Sequence, residues 1–296
     1  MDSTYEYYKL KVPPHTFYLT ISKGTTIDTI SIGGKKGQCV SISVNKPGSL
    51  LVERGFHKKE IATIPILSHD PRCAVDTILP RGEGSVLIIK TILSEVKKRY
   101  NYVETFRFTD NSHITCNNGK EISLLSLYIL THSATWYAEH FKAVLEDPSL
   151  NTKYTTGIKM LSNPEIKISF NDFKSIIQQY TTTTVLRELQ PIYESAPSYS
   201  EFFKKCIEDK GKYEFCNLTV DWIDSFIQFY FQFNPLTSSW IIKRDSIDTI
   251  QPETEIRLNK KPNNQSGGKY TRKNYKTSQR LVSISSILDG EFWPTK

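Results

Sequence analysis

Apolar and polar residues alternate along much of the first part of the chain. Between Tyr5 and about Leu67, four runs rich in β-branched residues show this alternation, at residues 16–22, 26–32, 38–44 and 61–67. Alternation with a period of two is typical of strands buried on one face, and short links containing glycine or proline separate the runs. The pattern therefore predicts an antiparallel meander.

The spacing of apolar residues becomes helical after this region. Val86, Ile89, Leu93 and Val96 recur at intervals of three and four, which predicts a helix that ends at the basic residues 97–99. A strand at 103–108 and two helices at 122–130 and 134–145 are predicted next, and Pro148 is interpreted as the stop signal of the second helix. Beyond about residue 165 the pattern is mostly helical, with Asn171 or Asp172, Ser200 and Thr219 as candidate caps.

These elements together predict an α/β (α+β) fold with a mixed sheet, flanking helices and a mainly helical C-terminal region. We expect one domain at residues 1–150, a helical domain at 151–250 and a basic tail at 251–296 that reads as flexible.

Composition and charge narrow the function classes. The chain of 296 residues is 38% hydrophobic and 12% aromatic, which argues against wholesale disorder, a collagen-like chain and a membrane-embedded chain. Its net charge is +7, but eight basic and no acidic residues lie between Arg257 and Arg280. The positive charge is therefore a property of the tail, and the rest of the chain is close to neutral.

The cysteines predict a reducing compartment. Their number is odd, they are widely separated, and no pair has CxxC spacing, so we expect neither a disulfide framework nor a structural zinc site; they are Cys39, Cys73, Cys116, Cys206 and Cys216. His113, His132 and His140 match no short metal-ligand pair, so no metal is expected. The sequence shows neither a secretory signal nor a membrane-spanning run, which favours the cytoplasm and no membrane partner.

The sharpest local motif is Arg81-Gly82-Glu83-Gly84-Ser85, at the point where the meander ends and a helix begins. Two glycines allow backbone N–H groups to point to one side, and the first turn of a helix adds further unpaired N–H groups and a positive dipole end. Such a loop suits a phosphate or pyrophosphate. A plain turn and helix cap is the alternative interpretation.

The order of elements around this motif resembles the GNAT N-acetyltransferase family. The resemblance rests on the meander, the Arg81 to Ser85 loop, a strand followed by Thr109-Asp110-Asn111, and a helix that holds residues 136–141. It implies that acetyl-CoA is the cofactor, with Arg81, Gly82, Glu83, Gly84, Ser85 and Asn111 as binding residues. It also implies that the strand at 103–108 splays from a parallel neighbour to admit the cofactor.

The same resemblance implies direct acetyl transfer to an amine of unknown identity. Tyr137, with Phe141 in a Tyr-x-x-x-Phe motif, would be the general acid, and Glu60 is one candidate for the general base. His69, Asp70 and Glu104 are the other candidates. Val86 replaces the small residue usual at the end of the loop, and 112–133 is longer than in compact members. A catalytically degenerate GNAT-like binding protein therefore remains the alternative.

The C-terminal part of the sequence points to a binding function. Two tyrosines and four cations interleave at 269–276, where Lys269, Arg272, Lys273 and Lys276 are predicted to contact nucleic acid or an acidic protein. A solvated basic linker is the alternative. Residues 281–296 are apolar and predict an anchor that docks on the body of the chain or on a partner.

A further, looser resemblance connects 108–141 and 200–203 to proteins of large cytoplasmic DNA viruses. It implies that the site of action would be the host cytoplasm or the virion.

Overall fold

The computed structural model describes residues 4–35, 37–47, 61–67, 83–110 and 112–261. The described residues pack into two compact units, one formed by residues 4–107 and 243–261, the other by residues 108–242. The second unit is thus inserted in the sequence of the first. The expected domain boundary at residue 150 falls inside a helix of the second unit.

The first unit contains a large mixed sheet. Its strands are β1 (Thr4–Val12), β2 (His15–Lys23), β3 (Ile27–Gly33), β4 (Gln38–Asn45), β5 (Ile61–Leu67), β6 (Thr105–Phe108) and β11 (Thr254–Leu258). They are ordered β11-β1-β2-β3-β4-β5-β6, and every neighbouring pair is antiparallel except the parallel pair β5 and β6. The meander and the mixed sheet expected from the sequence are both present.

One helix, α1 (Glu83–Arg99), connects the two parallel strands and packs against β3 and β4. Ile89, Leu93 and Val96 are buried, as the helical spacing predicts. Arg244 holds the far end of this helix, because its guanidinium donates hydrogen bonds to the carbonyl oxygens of Lys97 at 2.6 Å, Tyr100 at 3.0 Å and Val103 at 3.1 Å.

The second unit is mainly helical. Its helices are α2 (Leu124–His132), α3 (Trp136–Phe141), α4 (Pro148–Ser162), α5 (Phe170–Ile177), α6 (Thr183–Ser195), α7 (Tyr199–Lys210), α8 (Lys212–Thr219) and α9 (Ile223–Phe231). Two short antiparallel pairs accompany them, β7 (His113–Thr115) with β8 (Glu121–Ser123), and β9 (Val144–Leu145) with β10 (Trp240–Lys243). None of the helices in the described parts of the chain has both the length and the apolar character needed to cross a bilayer.

An aromatic cluster forms the core of this unit. Phe173 lies within 6 Å of the ring centres of Tyr193, Phe202, Trp222 and Phe226, and all five side chains are buried. Ring contacts at these distances add to the free energy that burial of each ring supplies. The aromatic stripe on α9 therefore belongs to the core.

Helix starts differ by a few residues from the sequence expectation. Ser169 caps α5 and Ser198 caps α7, in each case by accepting a hydrogen bond from a backbone N–H of the first turn. Asn171 or Asp172 and Ser200, the expected caps, instead lie inside these helices. Thr219 closes α8 rather than opening α9.

The prediction that the cysteines form no disulfide framework was wrong. Cys116, which follows β7, is bonded to Cys216 in α8, with the two Cα atoms 5.4 Å apart and a sequence separation of 100. Cys39 is also disulfide-bonded, and Cys206 is a buried free thiol. Spacing along the chain failed as a guide because the fold, not the local sequence, brings Cys116 to Cys216. The cysteines accordingly give no support to a reducing compartment.

Candidate anion site at the start of helix α1

The position of the first turn of α1 follows from contacts at its other end. Tyr100, directly after the helix, donates a hydrogen bond from its hydroxyl to Asp28 at 3.0 Å, and Asp28 lies at the start of β3. A helix of 17 residues is about 25 Å long and a strand of seven is about 23 Å long, so α1 is about as long as the strand β3 on which it packs. The first turn of α1 therefore lies at the edge where β3 ends.

This edge is also the carboxyl edge of the parallel strands. β3 and β5 are both antiparallel to β4, so they run in the same direction, and β6 is parallel to β5. The pairing of β5 with β6 covers only Ile61 to Thr63 and Thr105 to Arg107, although β5 continues to Leu67 beside β4. β5 therefore extends beyond its pairing with β6, towards the edge where α1 begins.

The first turn of α1 holds a buried hydroxyl that has no partner in the described part of the chain. Gly84 and Ser85 are buried, and the Ser85 side chain is only 7% exposed. Among the described residues, nothing accepts or donates a hydrogen bond at Ser85 Oγ. An unpaired polar atom in the interior costs about 1–3 kcal/mol, so such atoms usually mark a place where water or a ligand is bound.

This turn supplies donors that suit an anion. The first four N–H groups of any α-helix have no partner within the helix, and the helix dipole places about half a positive charge at this end. The backbone of Glu83, Gly84 and Ser85 and the Ser85 hydroxyl are therefore brought together at the start of a long helix. Arg81, Gly82, Asn111 and Glu60, also expected at the site, lie outside the described residues.

Tyr137, the expected general acid, lies in the second unit. It is in the first turn of α3, which Thr135 caps by accepting a hydrogen bond from the Ala138 N–H at 3.0 Å. Its ring centre is 4.3 Å from that of Phe108, the last residue of β6, and the residue is 5% exposed. Burial, with a smaller contribution from Asp110, raises the pKa of Tyr137 well above 10, so the phenol keeps its proton.

Asp110 is a buried carboxyl that the sequence analysis did not assign to the site. One of its oxygens accepts a hydrogen bond from the Ser112 N–H at 2.9 Å, while burial raises its pKa above the usual 3.8. Its field acts on Tyr137. A polar residue directly after a buried strand was the available signal, because strand ends at a carboxyl edge often carry functional side chains.

The other candidate bases, the histidines and the basic tail residues complete the set of predicted site residues. Glu104 is exposed in the loop before β6, while His69 and Asp70 lie outside the described residues. The imidazole of His113 lies 3.0 Å from a carboxylate oxygen of Glu121. Within the described ranges, no three His, Cys, Asp or Glu side chains are placed to hold a metal ion together. Lys269, Arg272, Lys273 and Lys276 also fall outside the described residues.

Comparison of the chain with protein-family models, with curated proteins and with solved structures finds no match.

Proposed function

We propose that the protein is an acetyl-CoA-dependent N-acetyltransferase, whose first unit binds the pyrophosphate of the cofactor at the first turn of α1. The observation that carries this proposal is the buried Ser85 hydroxyl at the start of a 17-residue helix, which has no hydrogen-bond partner among the described residues. The helix begins at the carboxyl edge of a parallel strand pair, where α/β proteins commonly bind ligands. The motif Arg81 to Ser85, which resembles the GNAT pyrophosphate loop, includes the residues of this turn.

The proposal assigns cofactor binding and proton transfer to different residues. The N–H groups of Glu83, Gly84 and Ser85 and the Ser85 hydroxyl would donate hydrogen bonds to pyrophosphate oxygens. Acetyl-CoA, when bound, supplies an activated thioester to an amine. Tyr137 carries its proton at neutral pH and would be the general acid toward the leaving thiolate, although burial raises its pKa and so makes it a weaker acid than an exposed phenol. Glu60 remains the candidate base.

Calorimetry of coenzyme A binding with a charge-reversing variant tests the proposal. Ser85→Asp adds a carboxylate at the third position of the helix, where the dipole offsets part of the cost of burying the charge and the charge repels pyrophosphate. We expect coenzyme A to bind wild type and to bind Ser85→Asp at least 10-fold more weakly. Lys98→Gln is the matched control, because it changes the net charge by the same amount at the opposite end of α1 and should bind like wild type.

A comparison of coenzyme A with pantetheine isolates the contribution of the pyrophosphate to binding. Pantetheine lacks the nucleotide and its pyrophosphate, so the affinity of the protein for pantetheine should be unaffected by Ser85→Asp. Absence of any coenzyme A binding to wild type would end the enzyme proposal. Binding without acetyl transfer across a panel of amines would instead favour the catalytically degenerate GNAT-like scaffold.

A further inference from the structure

The second unit carries an apolar groove of about 500 Å³ that the proposed acetyl transfer does not use. Its walls are α4, α5 and the segment between them, and the last turn of α9 forms its floor. Phe229, at the rim, is 59% exposed, and Met160, Ile168 and Ile176 are half-buried along the walls. A volume of about 500 Å³ lies within the range of roughly 300–1,000 Å³ that ligand pockets occupy.

Close packing beneath the groove holds its shape. Gly157 of α4 lies against the buried ring of Phe231, where a Cβ atom on residue 157 would be only 2.5 Å from the ring. Tyr230 is also buried at the floor, in contact with the ring of Tyr199 at 4.8 Å between centres. The groove is therefore preformed, and its occupant need not pay to open it.

We propose that the occupant is the C-terminal segment of the same chain, residues 281–296. Seven of its sixteen residues are large and apolar, among them Ile284, Ile287 and Trp293. Asp289 and Glu291 interrupt the apolar residues, and the groove presents an exposed lysine, Lys153, at its rim. The segment thus matches the groove in both apolar content and charge.

The length of chain before this segment permits the contact. Nineteen residues, 262–280, separate it from the last described residue, and at about 3.3 Å per residue they can extend about 60 Å. A unit of 135 residues has a radius of gyration of about 14 Å, so the reach of the tether is about four times that radius. A tether of this kind gives an effective concentration of about 1 mM, which favours the same chain over a second copy at micromolar concentrations.

Tryptophan quenching in the full-length protein tests the proposal. The chain has four tryptophans, and Trp136, Trp222 and Trp240 are buried. If the segment is docked, acrylamide should quench little of the wild-type emission. Phe229→Glu places a charge at the rim without disturbing the core, so we expect the quenchable fraction to rise by about a quarter, the share of Trp293.

Two control variants show whether the increase in the quenchable fraction comes from Trp293. Adding Trp293→Phe to Phe229→Glu should abolish it, and Tyr213→Glu, at a residue 53% exposed on α8 outside the groove, should not produce it. The proposal would be overturned if the quenchable fraction were unchanged in Phe229→Glu. It would also be overturned if acrylamide already quenched Trp293 fully in wild type. A wild type that is dimeric by light scattering, with quenching protection lost on dilution, would assign the groove to a second copy instead.

A variant in the segment keeps the test decisive if Phe229→Glu does not fold. Ile284→Asp with Ile287→Asp should increase hydrogen exchange in residues 152–160 and 166–177, the walls of the groove, by at least threefold. Exchange in α7 serves as the internal reference. Unchanged exchange at the walls would contradict docking of the segment.

Discussion

Removal of the Cys116–Cys216 disulfide should destabilise the second unit by an amount set by the loop that it closes. The bond joins residues 100 positions apart. In the chain-entropy description, closing a loop of about 100 residues in the unfolded state is worth about 4.7 kcal/mol at 25 °C. We expect the double variant Cys116→Ala with Cys216→Ala to lose about 4–5 kcal/mol of unfolding free energy under oxidising conditions.

Urea unfolding followed by tryptophan fluorescence reports on this unit, because Trp136, Trp222 and Trp240 all lie within residues 108–242. The measurement is made with and without dithiothreitol on wild type and on the double variant. Under reduction the two proteins should differ by no more than about 1–2 kcal/mol, the effect of removing two buried sulfur atoms. Cys206→Ala, which removes a buried free thiol, measures such a packing effect alone.

The comparison separates the cross-link from the packing of its sulfur atoms. A loss below about 2 kcal/mol under oxidising conditions would refute the loop-entropy reasoning. A loss that persists undiminished in dithiothreitol would show that packing, and not the bond, stabilises the unit. Because Cys39 is unchanged in both proteins, its own disulfide does not enter the difference.

Two further predictions concern single polar side chains. Asp110→Asn should be more stable than wild type at pH 7, and the difference in unfolding free energy should shrink as pH falls towards 4. The raised pKa of Asp110 means that the folded state binds the carboxyl proton more tightly than the unfolded state, so wild type loses stability as pH rises. Urea unfolding from pH 4 to 8 measures this difference, and a difference that stays constant with pH would contradict the prediction. Arg244→Ala should lower the free energy of unfolding by about 2–4 kcal/mol, since three carbonyl acceptors lose a charged donor. Arg244→Lys should recover only part of this loss, because an ammonium lacks the planar fork of the guanidinium. The control Lys243→Ala, at an exposed residue, should stay within about 0.5 kcal/mol of wild type. Thermal unfolding of the three variants and wild type measures these differences.

The sequence predicted the central strands well because each has one buried face. β2 has the burial alternation expected from its residues, and β3 and β4 begin and end within a residue or so of the expected bounds. β11 was missed for the same physical reason. It pairs only with β1 at the edge of the sheet and is half-buried at most, so its sequence carries little alternation.

Helix α4 was missed because Pro148 was interpreted as a stop signal. In the structure Asp147 caps the helix and Pro148 occupies its first turn, where the missing proline N–H has no cost. The start of α1 was predicted, since glycines followed by helical spacing are a local signal. The burial of Ser85, the orientation of α1 across the sheet and the neighbourhood of Tyr137 depend on contacts distant in sequence, and no local pattern encodes them.

The insertion of the second unit between Arg107 and Lys243 has a consequence for synthesis on the ribosome. The first unit lacks β11 and the Arg244 contacts until the intervening residues have been made, a delay of about 7–27 s at 5–20 residues per second. Throughout that interval the outer edge of β1 is without the strand that later covers it. An open strand edge is a template for pairing with other chains. The nascent chain is therefore most exposed to aggregation while the helices of its inserted unit are being translated, and slow translation of that region would prolong the risk.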